Sequence, residues 1–267
     1  MAVITAGEVK ELRKKTGAGI LDCRRALEKC DGDQVAAERL LREEGIISAA
    51  KRHDRERTQG AVAVVVHGAH NPVGAIAVLE CETDFVAKSP EFVSLVDEIA
   101  NELAVKGEDV LAQYSDQIDN IAVLLKENIA LGRTVRFEAQ APAIIGSYLH
   151  LQNGRGVNAV LVEISGGDEA LAHEIALHIA FARPEYLRRE DVPPEQVEDV
   201  RQTAAAIARN EGKPQAALDK IVEGRLQGWY KERVLLEQPF VRDEQRTVGQ
   251  LLGDAQLLRF AQAVVGS

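Results

Sequence analysis

Cys81 lies among Glu80, Glu82 and Asp84, so a thiol and carboxylates fall within five consecutive positions. Such a cluster is raw material for nucleophilic or acid–base chemistry, but either role needs a second group that tunes the reactive one. The sequence singles out no such pair. Cys23 and Cys30 lie seven apart on one predicted helix, about 10 Å by helix rise, too far for a bridge. With three cysteines and no CxxC pair, all read as small buried apolar residues in a reducing compartment. The six histidines are scattered. His173 and His178 are separated by about 500° of helical rotation and do not share a face. His67 and His70 fall in a turn signal without a neighbouring carboxylate or thiol, which reads as turn surface rather than metal site. There is no GxxxxGK followed by Ser or Thr, no GxGxxG after a strand, and no HExxH, GxSxG or EF-hand loop. An enzyme built on Cys81 or the Asp/Glu cluster has no motif behind it.

One segment keeps a claim to function on other grounds. In "LECETDFVAKSPEF", Leu79 to Phe92, Phe85 stands among Glu82, Thr83, Asp84 and Lys88, where a connection is ordinarily polar. Phe85 reads either as a core residue or as a tool aimed at another protein. The flanking elements are legible. "VGAIAVLEC" (73–81) is β-rich and pairs with "AVAVVV" (61–66) across the turn "HGAHNP". Ser89 followed by Pro90 and Glu91 starts a helix whose apolar face is Phe92, Leu95, Val96, Ile99 and Leu103.

This unit recurs. "GSYLHLQNGRGVNAVLVEISGGDEALAHEIALHIA" repeats strand, turn, strand, helix, and "LVDEIANELA" (95–104) matches "LAHEIALHIA" (171–180) at five of ten positions. The helices align at an offset of 76 and the strands at 83, so the first connection is seven residues longer. Since "SGGD" suffices to join strand to helix in the second copy, the length around TDFVAK is surplus to folding. Phe85 stays open between core and partner.

Residues 5–45 read as three short helices: Thr5 and Glu8 form a capping box, Asp33 caps the third helix and Gly45 closes it. The turn "TGAGIL" presents Ile20 and Leu21, which read from composition as completing a thin core. "SAAKRHDRERTQG" reads as a polar linker. "DNIAVLLKENIALG" reads as one helix, followed by a short strand "TVRFEAQA". Residues 191–234 read as two antiparallel helices meeting at Glu211-Gly212-Lys213-Pro214, with seams of Val197, Val200, Ala204 and Ile207 against Ala217, Ile221 and Leu226. At ~1.5 Å per residue the arms span about 25–30 Å and project from the body. The run "LLRFAQAVVG" returns as a core strand.

The chain has 267 residues, room for two or three modules, and its 46% hydrophobic content includes no apolar run near the ~20 residues of a membrane helix. Its first residues lack a signal-peptide core, so a cytoplasmic protein without membrane association is expected. Net charge is −10, distributed as +2 over residues 1–57 and −12 over the rest. An acidic body argues against direct nucleic-acid binding and favours a protein partner.

"VKELRKKTGAGILDCRRALEKCDGD", "ETDFVAKSPEF", "ALHIAFARPEYL", "KIVEGRL", "LLEQPFV" and "TVGQLL" occur in this order, and together they resemble the bacterial elongation factor Ts family over essentially the whole chain. The resemblance implies an α+β fold: a ubiquitin-associated-like three-helix module (1–47), a linker (48–59), a core subdomain (60–141), the first part of a second (142–190), a coiled-coil hairpin (191–234) and a segment completing the second subdomain (235–267). It also implies a guanine-nucleotide exchange factor for the GTPase elongation factor Tu, with no cofactor, no metal and no covalent chemistry. Thr83, Asp84, Phe85 and Val86 match the family segment that dislocates Mg²⁺ in the partner. Phe85 would wedge into an apolar pocket there, and Asp84 would fix the loop or touch the partner. Arg13, Ile20 and Leu21 match contacts of the N-terminal module, where the family commonly has Met at the two apolar sites. His178, Ile179 and Ala180 match a further contact, with Phe181 in place of the usual small residue; His178 reads equally as a satisfied core histidine. Little follows the closing apolar run, so a contact made by a longer family tail is not expected. The alternative to exchange is a scaffold or chaperone for the same GTPase.

Overall fold

The computed structural model describes residues 4–16, 18, 20–50 and 54–266. Gly17 and Gly19 of the predicted turn and residues 51–53 of the predicted linker lie outside them. The chain opens with α1 (Ala6–Thr16), α2 (Ile20–Lys29) and α3 (Gln34–Ala50). The first helix starts at the expected capping box: Glu8 accepts the Thr5 N–H (2.7 Å) while the Thr5 hydroxyl accepts the Glu8 N–H (3.3 Å). Asp33 caps α3 through the N–H groups of Val35 and Ala36. Val9, Leu12, Cys23, Ala26, Leu27 and Ala37 make the small core. Gly45 does not close α3, which continues to Ala50. An interior glycine costs only ~1 kcal/mol, and here α3 packs against a later helix of the body.

The body is two copies of one unit. The first has β1 (Gln59–His67), β2 (Val73–Cys81), a one-turn helix α4 (Asp84–Ala87), α5 (Pro90–Lys106), a 3-10 segment (Glu108–Tyr114), α6 (Ser115–Leu125) and β3 (Ala130–Glu138). β1, β2 and β3 form an antiparallel sheet in that order. The second has β4 (Ala143–Gln152), β5 (Arg155–Ser165) and α7 (Glu169–Ala182). After these come α8 (Pro194–Asn210) and α9 (Leu218–Arg233), then β6 (Pro239–Phe240), β7 (Asp243–Thr247), α10 (Val248–Leu252) and β8 (Gln256–Val264). β8 returns, as expected, to pair with β5 in the antiparallel sheet β4-β5-β8.

Strand alternation sorts side chains into layers. Ala61, Ala63, Ala77, Leu79 and Cys81 face α5, where they meet Phe92, Leu95, Val96 and Ile99. Val62, Ile76 and Val78 face the other way, onto Ile145, Ala159 and Leu161 of the second sheet. Val160, Val162 and Ile164 then face Ile175 and Ile179 of α7. The order is helix, sheet, sheet, helix. The sheets approach closely at Gly156, where a Cβ would lie 2.1 Å from the Val62 carbonyl oxygen. The repeat seen in sequence is a repeat of burial: Val96, Ile99, Ala100 and Leu103 and their counterparts Ala172, Ile175, Ala176 and Ile179 are all inside.

α8 and α9 pair side by side. Gly212 (φ 69°) turns the chain after α8, and Pro214 opens a 3-10 turn leading into α9. The seam differs from the prediction at Ile207, which is exposed, and Ala208, which is buried in its place. At the base Tyr186 pairs with Val234 in an isolated parallel bridge, and Val192, Leu226, Tyr230 and Val234 pack together. Arg189 bonds Glu237 and Gln227 and lies 4.4 Å from the Tyr230 ring centre. Among the described residues no helix is long and apolar enough to cross a membrane.

Candidate functional site

The connection from β2 to α5 takes eight residues, 82–89, and that from β5 to α7 takes three, 166–168. The surplus is thus five rather than the seven of the sequence alignment, because in that alignment α5 begins three residues earlier than α7 while β2 ends one residue earlier than β5. The surplus is folded into α4. Thr83 is its N-cap, extended at φ −121° and ψ 154°, with its hydroxyl accepting the Val86 N–H at 3.4 Å. Val86 and Ala87 turn into the core beside Phe92 and Leu95, while Phe85 is 80% exposed. Phe85 is therefore not a core residue: α4 holds it out by burying its neighbours.

Lys88, one turn on from Asp84, flanks the tip. Its ammonium donates to Asp84 Oδ2 at 2.6 Å and lies 5.3 Å from the Phe85 ring centre. The hydrogen bond from Lys88 holds the Asp84 carboxyl below its ordinary range, so an anion and an exposed aromatic ring stand side by side.

A turn after α6 grips this segment from the other side. Glu127 Oε2 accepts the N–H groups of Glu82 (3.1 Å) and Thr83 (3.0 Å), and Oε1 accepts the Thr83 hydroxyl. In return Glu82 Oε1 accepts the Asn128 N–H at 2.7 Å. Asn128 also donates from its side chain to the Arg55 carbonyl at 2.7 Å. Lys126 pairs with Asp22 of α2 at 2.7 Å.

Cys81 is buried and donates to the Thr83 carbonyl at 3.2 Å. Burial, with the Glu127 charge adding to it, pushes the thiol to about 12. A thiol so rarely ionised near neutrality is a poor nucleophile, and Cys81 is part of the clamp's wall. Among the described residues no group of His, Cys, Asp and Glu could hold a metal ion.

Arg13 is exposed in the last turn of α1. Ile20 and Leu21, at the start of α2, are 55% and 74% exposed, so they do not complete the core of the first three helices as composition suggested. At the end of α7 the residues divide. His178 and Ile179 are buried, Ala180 is half-buried, and Phe181 is 75% exposed. The His178 ring is satisfied at both nitrogens: Nε2 lies 3.0 Å from Gln238 Oε1, and Nδ1 accepts the Val241 N–H at 3.3 Å. Burial lowers its pKa. The buried Gln238 carries the bond onward, donating to the Glu232 carbonyl at 2.7 Å.

The family described as "Elongation factor TS" matches residues 82–267, a span that begins within the clamped connection. Curated relatives named "Elongation factor Ts" are similar along the full length. That of Micrococcus luteus is 40% identical with all of both chains covered, and that of Beutenbergia cavernae 39%, again over all of both. That of Deinococcus deserti is 39% identical over 97% of this chain and 98% of its own. The chain belongs to the elongation factor Ts family. It is thus a translation elongation factor, and its α+β fold, opening with three helices, is the one the family resemblance implied. Within this elongation factor Ts chain the residues that sequence reasoning missed are Lys126, Glu127, Asn128 and Gln238. The first three were hidden because "DNIAVLLKENIALG" reads as one helix. In the structure α6 stops at Leu125, Lys126 takes the left-handed conformation (φ 60°), and β3 begins at Ala130. The available signal was "KEN", three polar residues between two apolar runs, which breaks the helical period.

Proposed function

We propose that this elongation factor binds elongation factor Tu in its GDP form and promotes GDP release so that GTP can enter, acting as an exchange factor in the cytoplasm without covalent chemistry of its own. The observation that carries this reading is Phe85, a large aromatic side chain 80% exposed on a helix held by a cap, a clamp and two buried neighbours. A ring fixed in its exposed position before any partner arrives loses little further freedom on insertion, so it is pre-organised to fill an apolar pocket. Phe85 enters an apolar pocket of the GTPase, and Asp84, fixed by Lys88, sets the angle of entry. Shifting the elements that hold Mg²⁺ weakens nucleotide binding, because Mg²⁺ tolerates little departure from octahedral geometry and bridges the phosphates. Linkage makes the effect reciprocal, so bound nucleotide loosens the factor as much as the factor loosens nucleotide.

Arg13, Ile20 and Leu21 dock the N-terminal module (1–47), joined by the linker (48–59) to the subdomains at 60–141 and 142–190 with 235–267. The hairpin (191–234) stands apart. At the end of α7, His178 and Ile179 shape the helix from inside, and the contact with the partner falls to Ala180 and the outward-facing Phe181. Catalytic amounts of the protein added to GDP-loaded elongation factor Tu should accelerate release of labelled GDP on the order of a hundredfold in stopped flow. Phe85→Ala should lose roughly thirtyfold of that, a hot-spot loss of ~2 kcal/mol, while shifting folding stability within ~0.5 kcal/mol, as exposed positions do. Binding to the GTPase without acceleration would select the scaffold or chaperone reading instead. Neither binding nor acceleration would defeat both.

A further inference from the structure

Three consecutive side chains after α6 reach three segments that are far apart in sequence. Lys126 takes Asp22 of α2, beside the exposed Ile20 and Leu21. Asn128 takes the Arg55 carbonyl ahead of β1. Glu127 takes Glu82 and Thr83, the residues that launch α4. The Glu127 contacts are the ones with a directional consequence. An ionised carboxylate only accepts hydrogen bonds, and a threonine hydroxyl has a single proton to give. By accepting that proton, Glu127 leaves a lone pair of Thr83 Oγ1 facing the Val86 N–H, which is the cap of α4. Its other oxygen fixes the backbone of residues 82 and 83, and Glu82 returns the grip through the Asn128 N–H. The orientation of a helix only four residues long depends on such bonds, since it has too few internal ones of its own.

We infer that Glu127 is a positioning residue for nucleotide exchange: its carboxylate sets the polarity of the Thr83 cap and thereby aims Phe85. The inference rests on the exchange reading above. A mis-aimed Phe85 leaves docking by the N-terminal module intact but makes insertion incomplete, so the effect belongs in the rate of release from the assembled complex. Stopped-flow GDP release, measured over a range of factor concentrations, separates the two quantities. Glu127→Ala should lower the plateau rate about tenfold, the equivalent of one lost hydrogen bond to a charged group, and leave the half-saturating concentration within about twofold of wild type. Glu127→Gln keeps an acceptor for the backbone N–H groups and should recover part of the plateau. A merely structural role would do the opposite: a partly unfolded preparation has fewer active molecules, which raises the apparent half-saturating concentration and preserves the plateau. An unchanged plateau in Glu127→Ala would overturn the inference. Should that variant fail to fold by circular dichroism, Glu127→Gln carries the test, and a wild-type plateau in it overturns the inference equally. If wild type itself gives no acceleration, the exchange reading fails first and takes the inference with it.

Discussion

Phe85 and Val86 are adjacent and both apolar, yet one points into water and the other into the core. A one-turn helix makes that division, because successive residues are rotated by about 100° and only part of the turn can face inward. Sequence could not assign the two, since no periodicity is measurable over four residues. His178 posed the opposite problem, a polar residue on a mostly apolar helix, and its answer lies in Gln238, sixty positions away. Burial lowers the His178 pKa against a raising contribution from the Gln238 hydrogen bond, so the folded protein resists a proton that the unfolded chain accepts. Its contribution to stability is therefore complete above the ordinary histidine value of about 6.5 and declines as pH falls below it. Denaturant midpoints measured from about pH 8 down to about pH 5.5 should fall, and the fall should be shallower in His178→Gln.

At the scale of elements, the sequence was readable wherever a period ran long enough. β2, the helix start at Ser89, the capping box at Thr5 and the recurrence of the strand-strand-helix unit all follow from spacing and cap residues. The misread boundaries share a cause. α3 overruns Gly45 and α6 stops short at Leu125 because contacts between elements, between α3 and α6 in one case and at the Glu127 clasp in the other, outweigh local propensity. The hairpin shows the same effect in its seam, where Ala208 replaces Ile207 to let the arms approach. Its anchor is Leu226, fully buried at the base with Val192 and Tyr230. Leu226→Ala should cost the hairpin ~2–5 kcal/mol. Hydrogen exchange should show protection lost across α8 and α9 while β5 keeps its own, since the two belong to different clusters.

At the scale of the molecule, stability depends on the face where the two sheets meet. Gly156→Ala would place a methyl 2.1 Å from the Val62 carbonyl and 2.7 Å from Leu149 Cδ1, and since a backbone oxygen cannot swing aside, the sheets must part. A loss of ~1–3 kcal/mol is expected in a denaturant titration. Gly224→Ala is the contrast: nothing stands within 4 Å of a Cβ there, and the helical position should gain ~0.5–1 kcal/mol. The sheets also differ in when they can exist. All three strands of the first lie between Gln59 and Glu138, whereas β4 and β5 wait for β8 at Gln256–Val264. On a ribosome, with the N-terminal end emerging first, the first sheet has every strand it needs while more than a hundred residues remain to be made. The second does not: until β8 arrives, β5 has one open edge and Glu163, buried in the finished protein, lacks its Arg259 partner. The two copies of one unit are thus built on different clocks, and the later one is the more exposed to interruption of synthesis.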